Sequence, residues 1–129
     1  MTATTTITTD GFISHVAKPG IVILDFTAAW CGPCRAFAPI FEAVAARHPD
    51  IVWGKVDIDQ EHDLAVALEV RSVPTLMVFR DGVLLFEQAG LLSASALEGL
   101  VGRVRALDMD EVRRKIDAQP RAAQTGAAG

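Results

Sequence analysis

The sequence predicts an α/β fold: a central mixed β-sheet flanked by helices, with an extra short helix near the C-terminus. Apolar runs of strand length alternate along the chain with segments whose apolar residues recur at helical spacing. Late in the chain the pair Asp81-Gly82 separates two strand-like runs and favours a tight antiparallel hairpin, which makes an otherwise parallel sheet mixed. The 129 residues, half of them apolar, suffice for one buried core and are too few for two.

The first half of the chain is predicted to alternate strands and helices. A threonine-rich stretch near the N-terminus favours a short edge strand, and Asp10 is placed to cap a brief helix after it. The apolar run 21–26 is typical of a strand covered on both faces, and the carboxylate of Asp25 is the anomaly in it. Apolar residues at helical spacing then predict a helix that continues to about residue 48 and is kinked by Pro39.

The second half repeats the alternation and adds the hairpin. Residues 51–57 read as a strand, and Asp59 is placed to cap the helix that follows. Residues 75–79 and 83–87 are predicted to pair as the antiparallel hairpin. From Ser93 onward, apolar residues at helical spacing predict a helix that packs back on the sheet.

The last part of the chain is predicted to be an appendage. Residues 1–107 form the domain, and residues 108–129 form a short helix and a flexible tail. Asp108 and Glu111 are spaced as a cap pair at the start of this helix. Packing on the body of the protein is the more ordinary role of such an amphipathic helix, and docking of a partner through its basic side is the alternative.

Composition excludes several classes of function. Twelve basic residues against sixteen acidic ones leave a net charge of −4, so the chain lacks the basic footprint of proteins that bind nucleic acid or anionic lipid. No apolar run reaches the roughly 18 residues that a membrane helix needs, and the N-terminus lacks a secretory pattern. We therefore expect a cytoplasmic protein with no nucleic-acid or membrane partner.

The only two cysteines, Cys31 and Cys34, are separated by Gly-Pro where a buried strand meets a helix. Unpaired N–H groups and the positive end of the helix dipole favour a thiolate at Cys31, so we expect a lowered pKa there. Two alternatives stay open: a zinc site and two inert core thiols. Zinc needs four ligands and only three histidines could supply the rest, at spacings that do not form the usual close pair.

The arrangement resembles the thioredoxin family in order and spacing over about residues 5–106. The residues that carry the resemblance are Asp25-Phe26, Trp30-Cys31-Gly32-Pro33-Cys34, Lys55 with Val56-Asp57, Val73-Pro74-Thr75 and Gly90. The tuned Cys-x-x-Cys pair of thioredoxin is a known example of thiol activation, and the resemblance extends that expectation to this chain. It implies a thioredoxin fold and a reversible dithiol–disulfide cycle between the two cysteines.

The resemblance also implies roles for five residues. Cys31 is the attacking nucleophile and Cys34 the resolving thiol. Asp25 exchanges a proton with Cys34, and desolvation should raise its pKa enough for this near neutrality. Lys55 either pairs with Asp25 and limits that rise or is a solvated lysine. Pro74 is preceded by a cis peptide bond that faces the cysteines, although sequence alone favours trans.

A flat, mostly apolar surface around the cysteines is expected to receive substrate. We call it the docking surface, and its residues are Trp30, Gly32, Pro33, Val73 and Gly90. Leu91 and Leu92 either extend it or belong to the core. The backbone of Val73 could hold an extended substrate segment by strand-like hydrogen bonds.

One departure from the family is Thr27, where thioredoxins usually carry a tryptophan that packs on the active-site loop.

The function that the resemblance implies is protein-disulfide reduction. The expected partners are disulfide-containing proteins and a flavin-dependent thioredoxin reductase that draws on NADPH, and the chain itself is expected to be a monomer without a cofactor. Two alternatives are an oxidase or isomerase of the same fold and a binding module that does not depend on thiol turnover.

Overall fold

The structure is a computed structural model that describes residues 3–119. Every strand and helix predicted within this range is present. In chain order the elements are β1 (Thr5–Thr6), α1 (Phe12–Val16), β2 (Ile21–Thr27), α2 (Gly32–Arg47), β3 (Val52–Asp57), α3 (His62–Ala67), β4 (Thr75–Arg80), β5 (Val83–Ala89), α4 (Ala94–Ala106) and α5 (Met109–Ala118). The predicted flexible tail at 120–129 lies outside the described residues.

The five strands form one mixed sheet in the order β1-β3-β2-β4-β5. β1, β3 and β2 are parallel, whereas β4 is antiparallel to β2 and β5 is antiparallel to β4. The sheet is thus mixed, as predicted, and the change of direction already occurs where β4 pairs with β2. This order places β2 at the centre, where its residue Asp25 lies opposite Lys55 of β3 and Leu76 of β4.

Residues 21–26 of strand β2 are buried because helices cover both faces of the sheet. Ile21 and Ile23 point to the face that packs on α2 and α4, whereas Val22 and Leu24 point to the face that packs on α1 and α3. Side chains alternate along a strand, so Asp25 belongs to the face of Ile21 and Ile23. The buried carboxylate therefore lies on the same side of the sheet as the helix that carries the cysteines.

Two of the predicted helix caps are wrong. Helix α1 is capped at Gly11 and not by Asp10, and the hydroxyl of Thr8 accepts the hydrogen bond from the Gly11 N–H at 3.0 Å. Helix α3 is capped at Glu61 and not by Asp59. At α1 the Thr8 hydroxyl, and not the Asp10 carboxylate, accepts the hydrogen bond from the backbone. The Asp59 carboxylate instead accepts a hydrogen bond from the side chain of Trp30.

The hairpin turn and the cap of Asp108 at the start of α5 follow the prediction. Asp81 and Gly82 have φ angles of 53° and 82°, the left-handed conformation that a tight primed turn requires. The Ser93 hydroxyl accepts a hydrogen bond from the first turn of α4. The Asp108 carboxylate accepts two such bonds in α5, and Arg113 of that helix pairs with Asp81 at 3.4 Å. Helix α5 is thereby attached to the hairpin turn.

In residues 3–119 the structure contains no helix that is both long enough and apolar enough to cross a membrane. The division into residues 1–107 and 108–129 stays a prediction.

Candidate active site

The two cysteines lie at the start of α2, directly after strand β2. Cys31 is the N-cap residue with an extended backbone, so the helix begins at Gly32, and Pro33 occupies the first turn, where its missing N–H is not needed. The backbone N–H of Cys34 donates to the sulfur of Cys31 at 3.1 Å. Sulfur thus takes the place that a serine or aspartate oxygen holds in an ordinary cap. An N–H donor and the positive end of a helix dipole beside a sulfur are the conditions that favour a thiolate.

The sulfurs of Cys31 and Cys34 are joined in a disulfide, and their Cα atoms are 5.2 Å apart. The pair is therefore in reach for a dithiol–disulfide cycle, as predicted. Cys31 is 4% exposed and Cys34 is 1% exposed. Cys31 is the more accessible of the two, as expected, but the difference is small in the oxidised form because Ala28, Ile58 and Val73 pack around the pair.

Asp25 is the buried charged residue of the site. Its side chain is fully buried, and neither carboxylate oxygen has a hydrogen-bond partner within residues 3–119. Burial in an apolar environment raises its pKa from 3.8 to about 6, and the positive charge of Lys55 lowers it by a smaller amount. The expected rise of the pKa toward neutrality is confirmed.

Lys55 acts on Asp25 through its charge and not through contact. The two residues are opposite one another in the register of β2 and β3, and Lys55 is half-buried. Of the two alternatives for Lys55, neither holds in full: no salt bridge joins it to Asp25 in the described part of the chain, but its charge limits the rise of the Asp25 pKa, as the paired alternative expected. Lys55 moderates the effect of burial and leaves Asp25 without a hydrogen bond.

The segment before β4 approaches the disulfide from the other side. The Val73–Pro74 peptide bond is cis, as the resemblance implies, and the carbonyl oxygen of Val73 lies 3.6 Å from the sulfur of Cys31. The carbonyl of Pro74 accepts a hydrogen bond from the N–H of Gly90 at 2.8 Å. Gly90 has a φ of 92°, and a Cβ there would meet nothing within 4 Å, so its surroundings are open.

The docking surface is exposed at its helix end. The Trp30 side chain is 66% exposed, and Gly32 and Pro33 are exposed beside it. Of the two residues whose role was open, Leu91 is 47% exposed, whereas Leu92 packs against the core. Leu91 is therefore available to the surface and Leu92 is not.

Two hydrogen bonds that shape the site were not predicted from the sequence. The Asp59 carboxylate accepts a hydrogen bond from the Trp30 indole at 2.8 Å, and the carbonyl of Ser72 accepts one from the Thr75 hydroxyl at 2.6 Å, next to the cis bond. Nothing in the spacing of Asp59 and Trp30, which are 29 residues apart, could have paired them. Trp53 is buried and donates to the His48 carbonyl, in agreement with a core role.

The chain is similar in sequence and in structure to known thioredoxins. The sequence model of the thioredoxin family matches residues 3–103. The chain is 44% identical over 119 residues to a putative thioredoxin 2 of Streptomyces coelicolor, covering 92% of this chain and 89% of that one. It is 40% identical over 97 residues to a thioredoxin of Chlamydia pneumoniae, covering 75% and 94%. A solved structure of a mutant thioredoxin from Halobacterium salinarum superimposes with a TM-score of 0.74 at 31% identity, covering 82% and 95%.

Proposed function

Because the chain belongs to the thioredoxin family and is a thiol–disulfide oxidoreductase that reduces protein disulfides, we propose that Cys31 is the attacking nucleophile and Cys34 the resolving thiol. One observation carries this assignment. The sulfur of Cys31 caps α2 and receives the N–H of Cys34, so the helix stabilises negative charge on Cys31 and not on Cys34. Cys31 is also the more exposed of the two.

The reaction consists of two exchanges at sulfur. The Cys31 thiolate attacks one sulfur of a substrate disulfide, forms a mixed disulfide and releases the first substrate thiolate. Cys34 then loses its proton and attacks the Cys31 sulfur, which forms the Cys31–Cys34 disulfide and releases the second substrate thiolate. Two electrons pass from the enzyme to the substrate, and the enzyme ends in the oxidised form that the structure contains.

Asp25 is the group proposed to move the proton of Cys34. Its pKa of about 6 lets the carboxylate accept a proton and return it near neutral pH. It lies on the face of the sheet that packs on α2, and none of its oxygens is occupied by a hydrogen bond within residues 3–119. An acceptor without a competing partner in an apolar environment is suited to this role. The positive charge of Lys55 lowers the pKa of Asp25 by less than burial raises it.

The docking surface is proposed to bind an extended segment of the substrate protein. Trp30, Gly32 and Pro33 offer exposed, mostly apolar area beside the disulfide. The backbone of Val73 is next to Cys31, where hydrogen bonds of strand type would align a substrate disulfide with the attacking sulfur. The open surroundings of Gly90 leave room for that backbone.

The proposed electron donor is a flavin-dependent thioredoxin reductase that draws on NADPH, and the proposed location is the cytoplasm. We further propose that the protein acts as a monomer with no cofactor of its own and with no nucleic-acid or membrane partner. Residues 1–107 are proposed as the catalytic domain and residues 108–129 as an appendage, which agrees with the family match ending at residue 103.

The test is reduction of insulin with NADPH and a thioredoxin reductase. The wild-type protein should turn over, Cys31→Ser should be inactive, and Cys34→Ser should accumulate substrate proteins bound to Cys31 as mixed disulfides. Mixed disulfides trapped on Cys34 in a Cys31→Ser variant, at the rate seen in Cys34→Ser, would reverse the assignment of roles. A reduction potential between about −120 and −180 mV would instead indicate an oxidase or isomerase.

A further inference from the structure

The loop that carries the active-site tryptophan has few side chains that could hold it. Between the end of β2 at Thr27 and Trp30 the chain reads Ala28 and Ala29, and an alanine side chain cannot form a hydrogen bond. The loop has one backbone bond of its own, from the N–H of Cys31 to the carbonyl of Ala28 at 3.2 Å. The carbonyl of Ala29 therefore has no partner within the loop itself.

Arg35 supplies a partner from the first turn of α2. Its guanidinium Nη1 donates to the carbonyl oxygen of Ala29 at 2.9 Å. Its backbone N–H donates to the carbonyl of Cys31 at 3.2 Å, so its Cα lies one helical turn after the cysteine. Side chains on a helix tilt toward its N-terminus, which lets Arg35 reach back over that turn.

The guanidinium lies next to residues on both sides of Cys31. Its Nη1 is on the Ala29 carbonyl, and its Nη2 would lie 4.0 Å from a Cβ built on Gly32. A planar guanidinium thus spans the chain from two residues before the cysteine to one residue after it. The Arg35 side chain is exposed, and it is also attached to the active-site loop.

The active-site region contains charged groups of both signs, so the effect of each on the Cys31 sulfur depends on where it lies. Asp59, bonded to Trp30, and Asp25 on β2 are acidic, while Lys55 of β3 is basic. Arg35 is the cation that the structure attaches directly to the loop preceding Cys31. A positive charge on the segment that flanks a thiolate favours the charged form of the sulfur.

We propose that Arg35 is a positioning residue for the redox reaction: it holds the Ala29 carbonyl against the first turn of α2 and keeps a positive charge on the segment that flanks Cys31. The inference rests on the proposed role of Cys31 as the nucleophile. Arg35 touches neither sulfur and acts through the loop and through its charge.

The test compares the pH dependence of Cys31 alkylation in reduced full-length protein. Iodoacetamide is the probe, and mass mapping of residue 31 gives the rate between pH 5 and 9. Arg35→Ala should be alkylated about threefold more slowly at pH values below the midpoint, with the midpoint moved to higher pH. Arg35→Lys should lie between Arg35→Ala and the wild type, because it keeps the charge but loses the planar donor pair.

Arg114→Ala is the matched control, since Arg114 is an exposed arginine on α5 and its removal changes the net charge equally. Its profile should superimpose on that of the wild type. The proposal is overturned if Arg35→Ala also superimposes on the wild type, if Arg35→Lys coincides with Arg35→Ala, or if Arg114→Ala shifts as much as Arg35→Ala. Insulin reduction by the wild type separates these outcomes from failure of the proposed function, which would show as absence of turnover in the wild type itself.

Discussion

Replacing Asp25 by asparagine should stabilise the protein at neutral pH and leave its stability unchanged in acid. The buried carboxyl has a pKa of about 6 in the folded chain against 3.8 as the ordinary value. Each pKa unit corresponds to about 1.4 kcal/mol, so ionising Asp25 in the folded protein costs about 3 kcal/mol. Since the pKa of Asp25 is higher in the folded protein, the free energy of unfolding of the wild type is greatest below pH 3.8, where Asp25 is protonated. It falls as the pH rises, and the contribution of the protonated carboxyl is lost above about pH 6.

The assay is urea unfolding of the oxidised wild type and of Asp25→Asn at intervals between pH 4 and 8. The difference in unfolding free energy should grow from near zero to about 3 kcal/mol in favour of the variant, because in acid the wild type buries an unpaired neutral carboxyl and the variant buries an unpaired amide of similar size and polarity. Asp117→Asn makes the same chemical change at an exposed site of α5 and should follow the wild type. Parallel curves for wild type and Asp25→Asn across this range would refute the reasoning.

Three further substitutions test the packing and the caps by urea unfolding. Gly54→Ala should cost about 1 to 3 kcal/mol, because its Cβ would lie 2.5 Å from Ile7 and 2.7 Å from Leu24, both fully buried; a cost below about 0.5 kcal/mol would contradict this. Glu69→Gly should stabilise by about 0.5 to 1 kcal/mol, since residue 69 has a φ of 58° after the end of α3, and a loss of stability would contradict it. Ser93→Ala should cost about 1 kcal/mol through loss of the α4 cap, and unchanged stability would argue against the cap.

Helix caps show where prediction from sequence reached its limit. Asp108 and Ser93 cap the helices that directly follow them, as their positions indicate. Asp10 and Asp59 occupy equally suitable positions and cap nothing. For Asp59 the reason is tertiary: folding brings the Trp30 indole within hydrogen-bond distance of its carboxylate. A local signal is thus overruled when a distant donor offers the same carboxylate a bond.

Some features of the candidate active site could likewise be predicted from the sequence, and others could not. The strand-to-helix junction at Cys31 and the burial of Asp25 follow from apolar periodicity in the neighbouring residues, and both were predictable. The position of Val73 beside the Cys31 sulfur was implied only by the family resemblance, and the attachment of Arg35 to Ala29 was not predicted. The first depends on how a distant segment packs, and the second depends on one rotamer of a long side chain.

The sequence by itself determined the alternation of strands and helices, the hairpin at Asp81-Gly82 and the place of the cysteines at a helix N-terminus, because each depends on residues that are neighbours in the chain. Only the tertiary structure decided that β2 lies between β3 and β4, that Lys55 influences Asp25 without bonding to it, and that Asp59 binds Trp30. These features depend on contacts between distant segments, whose energies reflect the whole core and not any local pattern.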